Sequence, residues 1–182
     1  RVTEEAYRWG IMKTINVGEL IGKLRREKNI SQSALCHGLC SVQLLSLIER
    51  GERIPDILLL EALLQRLGKS PEMLEIILTA EEYKQIKCRD EIEKNLRFGN
   101  REEAQTGLEH YAKTYAKSDT MQQMYVYRIM CILEKEQGNL DSAEEWIQKA
   151  VQLTVTQKEL EKMTMPLLSI FEVENLVILS DI

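Results

Sequence analysis

Residues 35–55 read LCHGLCSVQLLSLIERGERIP, and the fold turns on what Gly38 does inside that run. Cys36, His37 and Cys40 bunch within five positions, which by residue type is half of a metal site. The other reading is mechanical. Gly38 ends one short helix and Ser41 caps the next, leaving two helices at a tight corner. A metal site needs a second group of ligands at matching spacing. Cys88 and Cys131 stand alone and His110 is the only other histidine. No metal and no cofactor are therefore expected, and Cys36 and Cys40 are read as structural thiols. On the mechanical reading Leu35, Cys36, Leu39, Leu45 and Ile48 form the inner side of the corner.

Helical punctuation continues on both sides. Leu20, Ile21 and Leu24 recur at three-to-four spacing before Asn29-Ile30 ends that helix. Ser31 is a suitable N-cap for the helix that carries Gln32 and Leu35, and Gly51 a suitable stop for the one that begins at Ser41. Asp56 opens a fourth helix whose apolar face is Leu59, Leu60, Leu63, Leu64 and Leu67, closed by Gly68. Ser70-Pro71 predicts a fifth start. Thr79-Ala80-Glu81-Glu82 has the pattern of a capping box, and a domain boundary is expected there.

The run IGKLRREKNISQSALCHGLCSVQLLSLIERGERIPDILLLEALLQRLGKSPEMLE resembles the Xre/Cro type of helix-turn-helix domain. The marks are Leu24-Arg25-x-x-Lys28, Ser31-Gln32-x-x-Leu35, Ile48-Glu49-x-Gly51, Pro55 and Leu67-Gly68. Within it, GLCSVQLLSLIERG resembles the corner of the Rgg/PlcR group. Those regulators respond to peptide pheromones (quorum sensing) through a tetratricopeptide-like body behind the head. The resemblance implies that the helix after the corner enters the major groove of double-stranded DNA. Expected DNA contacts are Gln32, Ser41, Val42, Gln43, Leu44, Arg50 and Arg53. Gln43 is the candidate base reader, because a side-chain amide pairs bidentately with adenine. Ser41 would face phosphate, and Arg50 and Arg53 would hold the backbone. Lys23, Arg25, Arg26 and Lys28 are either further phosphate ligands or a solvated face. Val42, Leu44 and Leu47 are apolar where such helices carry polar groups, so they pack either on thymine methyls or on the protein itself.

Beyond the boundary the chain reads as longer amphipathic helices. FGNREEA and QGNLDSA place Gly99-Asn100 and Gly138-Asn139 at corresponding corners, offset by 39 residues, near a helical-hairpin period. Residues 124–155 resemble a tetratricopeptide repeat, with Cys131 in a small-residue slot and Ala143, Ile147 and Ala150 along its second helix. Asn139 is expected to cap that helix. Residues 81–116 are a weaker copy, with Gly107 where a larger residue is usual. Tyr111, Tyr115, Tyr125 and Tyr127 are read as packing between helices. Leu176, Val177, Ile178, Leu179 and Ile182 leave an apolar face open at the end. That face suggests either a longer natural chain or a dimer that covers it.

The organisation expected is all-α: residues 1–16 an N-terminal extension, 17–78 a five-helix helix-turn-helix head, and 79–182 tetratricopeptide-like hairpins, truncated. The net charge of −5 is unevenly spread. Residues 17–70 hold eight Lys and Arg against six Asp and Glu, a balance of +2; residues 71–182 hold 13 against 21, or −8. A mildly basic head on an acidic body suits DNA contact by the head alone. No apolar run approaches the ~20 residues of a membrane span, no export signal opens the chain, and sparse cysteines suit a reduced, cytoplasmic setting. No phosphate-cradling loop or nucleophile elbow is present, so no enzyme is expected. The Glu81-Glu82, Glu102-Glu103 and Glu144-Glu145 doublets fall in first turns, where they suit the helix dipole. The function expected is a homodimeric transcription regulator on a palindromic operator, controlled by a peptide or protein on the body. The alternatives are an interaction scaffold with a degenerate head that does not bind DNA, and a phage-type or toxin–antitoxin repressor.

Overall fold

The computed structural model describes residues 17–70, 80–117, 119–162 and 166–182, and among them every regular element is a helix. The fifth start at Ser70-Pro71 and the Thr79 box lie at or beyond the edge of the described residues. The fold class is all-α, as the sequence indicates.

The head is built from α1 (Val17–Glu27), α2 (Gln32–Cys36), α3 (Val42–Glu49) and α4 (Ile57–Arg66). Local chemistry sets each end. Ser31 accepts from the Ala34 N–H and Ser41 from the Leu44 N–H, both at 3.1 Å. Asp56 accepts from the N–H groups of Leu58 and Leu59. These side chains satisfy donors that a helix start leaves unpaired. At the end of α3, Gly51 turns left-handed (φ 74°). The Gly51 N–H then reaches Ile48 O and the Glu52 N–H reaches Leu47 O, a Schellman closure. The corner between α2 and α3 is Gly38, also left-handed at φ 69°.

The body begins with α5 (Ala80–Arg97) and α6 (Arg101–Tyr115), an antiparallel pair turned at Gly99. A second pair, α7 (Thr120–Glu136) and α8 (Leu140–Gln152), turns at Gly138. Short α9 (Gln157–Lys162) and then α10 (Ile170–Ser180) follow. Small residues let the pairs close. Ala143 and Ala150 are fully buried on α8, as is Cys131 on α7. A Cβ on Gly107 would stand 3.0 Å from Ile92 Cγ1, so the glycine sets how near α6 lies to α5. One expectation fails: Asn139 occupies the N-cap of α8 without a side-chain capping bond. Its amide instead donates to Glu134 Oε2 at 2.8 Å, tying the cap back to the helix just ended.

The main apolar cluster does not stop at the head. Ile21, Leu35, Leu45, Ile48, Leu63 and Leu64 continue into Met121, Met124, Ala143 and Ile147 of the body. A second cluster joins Ile92, Leu108, Tyr111, Tyr125 and Ile129 inside the hairpins. The tyrosines serve packing: Tyr111 lies against Tyr115 and Tyr125 with ring centres 5.0 and 5.2 Å apart.

Candidate nucleic-acid interface

The inner side of the corner is Leu35, Cys36, Leu39, Leu45 and Ile48, all buried. With that face committed to the core, the opposite side of the α3 start points away from the protein. Ser41, Val42 and Gln43 are all exposed. Ser41 caps α3, so the first turn presents backbone N–H groups and the positive end of the helix dipole in the same direction.

A brace holds α1, α2 and α3 at fixed angles. Arg25 of α1 donates to both carboxylate oxygens of Glu49 on α3, at 2.6 and 2.8 Å. It also donates to Ile30 O in the turn between α1 and α2. Gln32 of α2 adds a third hydrogen bond to Glu49 from its amide nitrogen, at 2.9 Å. Burial works to raise the Glu49 pKa, but the hydrogen bonds from Arg25 and Gln32 prevail and hold the carboxyl below its ordinary range. In the sequence Glu49 stands out only as part of the Ile48-Glu49-x-Gly51 motif. Its role needs the three-dimensional meeting of positions 25, 32 and 49.

The seven expected contact residues separate on this framework. Ser41, Val42 and Gln43 lie together at the open end of α3. Leu44 is half-buried and packs on the core, which places it among the protein-facing alternatives. Gln32 is half-buried with its amide nitrogen engaged by Glu49. Arg50 is exposed, but its guanidinium is bonded to Glu52 at 2.6 Å and to Ser46 Oγ at 2.7 Å. That bond with Glu52 raises the pKa of Arg50 and lowers that of Glu52. Arg53 is exposed in the following loop beside Ile54, which is 84% exposed. Among the basic residues of α1 and the turn after it, Arg25 is committed to the brace, whereas Lys23, Arg26 and Lys28 remain exposed.

Burial raises the pKa of Cys36, and it pushes Cys40 up to about 12. Among the described residues no group of three or more His, Cys, Asp or Glu is arranged to hold a metal ion.

The body contributes a concave region. A cleft of about 500 Å³ lies between α5, α7 and α10, lined by Leu96, Tyr125, Arg128, Ile129, Phe171 and Glu174, among others. A second, of about 400 Å³, runs along α10 past Gln65, Arg128, Ile170, Val173, Glu174 and Val177. The Arg128–Glu174 ion pair, at 2.6 Å, stands where the two meet.

No helix among the described residues is long and apolar enough to cross a membrane. No curated protein and no solved structure matches the chain at a significant level. Residues 21–74 match the helix-turn-helix family HTH_3. The chain therefore carries an Xre-type helix-turn-helix domain at residues 21–74.

Proposed function

We propose that the protein is a sequence-specific DNA-binding transcription regulator, acting as a homodimer on a palindromic operator. The observation that carries this is the outward α3 start. Gln43 is exposed beside a capped helix N-terminus, on a helix braced through Glu49. Gln43 is assigned to base edges in the major groove. Ser41 and the N–H groups of the first α3 turn go to phosphate, and Arg53, Arg26 and Lys28 to flanking phosphates. Val42 is placed against a thymine methyl. Two copies would set their α3 helices about 34 Å apart, one turn of DNA. The body clefts, apolar with an ion pair at their junction, are assigned to a regulatory peptide or protein segment. The resemblance to peptide-responsive regulators points the same way.

Exposed Val42 and Ile54, and an Arg50 already neutralised by Glu52, favour a second reading, a scaffold whose head contacts protein. Selection from a random duplex pool separates the two. A regulator enriches a palindrome whose affinity falls by orders of magnitude between about 50 and about 200 mM salt. Gln43→Ala then relaxes preference at one base pair per half-site, at a cost of about 1–3 kcal/mol. No enrichment, and no binding of any duplex at low salt, favours the scaffold.

A further inference from the structure

Arg66 is the last residue of α4, yet it faces away from solvent and joins two distant parts of the chain. Its Nε and Nη2 donate to the two carboxylate oxygens of Glu172 in the first turn of α10, at 3.1 and 2.6 Å. Its Nη1 donates to Leu35 O and His37 O at the helix-turn-helix corner, both at 2.8 Å. Both side chains of the pair are essentially inaccessible to solvent. Glu172 is fixed from behind as well, accepting from the Ser169 N–H and hydroxyl in a capping box. The neighbouring Gln65 accepts from the Ile170 N–H. Two consecutive residues of α4 thus grip the start of α10, and one of them also grips the corner. The body presses on the same corner elsewhere. A Cβ on Gly38 would stand 2.5 Å from Thr154 Cα, and His37 Nε2 lies 3.1 Å from Glu159.

The two sides of α10 differ in kind. Glu172 and Asn175 face inward and are buried. Ile170, Val173 and Val177 lie roughly 100–160° round the helix from Glu172. They are 62%, 45% and 51% exposed along the second cleft. The inner seat is imperfect, because among the described residues neither amide atom of buried Asn175 has a hydrogen-bond partner. An unsatisfied buried amide opposes docking at that one position, while Phe171, Ile178 and Leu179 pack α10 on the main apolar cluster.

We infer that α10 is a transmission strut: a group seated in the cleft along Ile170, Val173 and Val177 displaces α10, and the Arg66–Glu172 pair passes the displacement to the Leu35–His37 corner that aims α3. This deepens the regulatory reading above and rests on it for the identity of the occupant. The coupling itself exists without a ligand, so it is measured without one. The corner amides of Leu39 and Cys40, both bonded to Cys36 O, report the opening of the turn by hydrogen exchange.

The cleft is filled artificially with Val177→Trp, in the otherwise intact chain and in a chain whose pair is replaced by Arg66→Met with Glu172→Met. The double replacement removes the pair without leaving a lone buried charge, and thermal melting checks that each variant folds. The expected result is at least a threefold change in Leu39 and Cys40 exchange on Val177→Trp, shrinking to within error when the pair is absent. Asn175→Leu, which relieves the unsatisfied amide, is expected to slow exchange at the same two amides. The strut is overturned if Val177→Trp leaves the corner unchanged, or changes it equally with and without the pair. A failed search for a cleft ligand would remove the occupant while leaving this coupling intact, so the two failures are told apart.

Discussion

Glu52 illustrates how much a single side chain governs the proposed contact. It lies beside the α3 end and takes up the guanidinium of Arg50. Both groups are exposed, so the pair does little for the fold. Its effect falls on the partner: a phosphate must compete with Glu52 for Arg50. Glu52→Gln is expected to raise duplex affinity a few-fold and to steepen the salt dependence by about one released counterion, read by fluorescence anisotropy across a salt series. Unchanged affinity and slope would place Arg50 off the DNA. This competition was not readable in the sequence, where Arg50 and Arg53 look alike. The α3 closure, with the Glu52 N–H on Leu47 O, brings Glu52 round to Arg50.

The helix starts and stops were largely legible, because they rest on residues within four positions of one another. Ser31, Ser41 and Asp56 cap as their side-chain chemistry dictates, and Gly51 and Gly68 stop helices in left-handed turns. Asn139 was not: its amide nitrogen donates to Glu134 of the previous helix, and its side chain makes no capping bond. The corner glycine shows the difference between a local and a tertiary constraint. Gly38 and Gly138 both have positive φ, at 69° and 81°, but only Gly38 has another backbone pressed against it. Gly138→Ala is expected to cost about 1 kcal/mol, the strain of a left-handed alanine. Gly38→Ala adds a clash with Thr154 and is expected to cost about 3 kcal/mol or more. Urea midpoints of the two variants test this. Equal losses would mean that the body does not bear on the corner in solution.

The molecule as a whole packs residues 17–70 against helices that follow far along the chain. One apolar cluster spans head and body, and the ion pair that locks them spans 106 positions, with no local signal at either end. A second junction is acidic. Asp56, the cap of α4, and Asp119, the cap of α7, meet near Gln122, whose amide lies 3.4 Å from Asp56 Oδ1. Burial first, and the neighbouring Asp119 second, raise the Asp56 pKa to about 6. The folded state therefore binds this proton more tightly than the unfolded chain does. The stabilisation is full below about pH 4 and is lost as pH rises through about 6. Asp56→Asn keeps a capping side chain but cannot titrate. The wild type is expected to lose on the order of 2 kcal/mol relative to this variant between pH 4 and 6, measured by urea unfolding at each pH. Parallel curves would show that Asp56 is neither buried nor beside Asp119 in solution.

The most direct measurement is amide chemical-shift mapping on the full chain as a selected palindromic duplex is added. If α3 enters a groove by its N-terminal end, the perturbed amides are those of residues 31–34, 41–45 and 50–54. Saturable duplex binding that shifts α5 to α8 instead, with residues 41–45 unmoved, would contradict it.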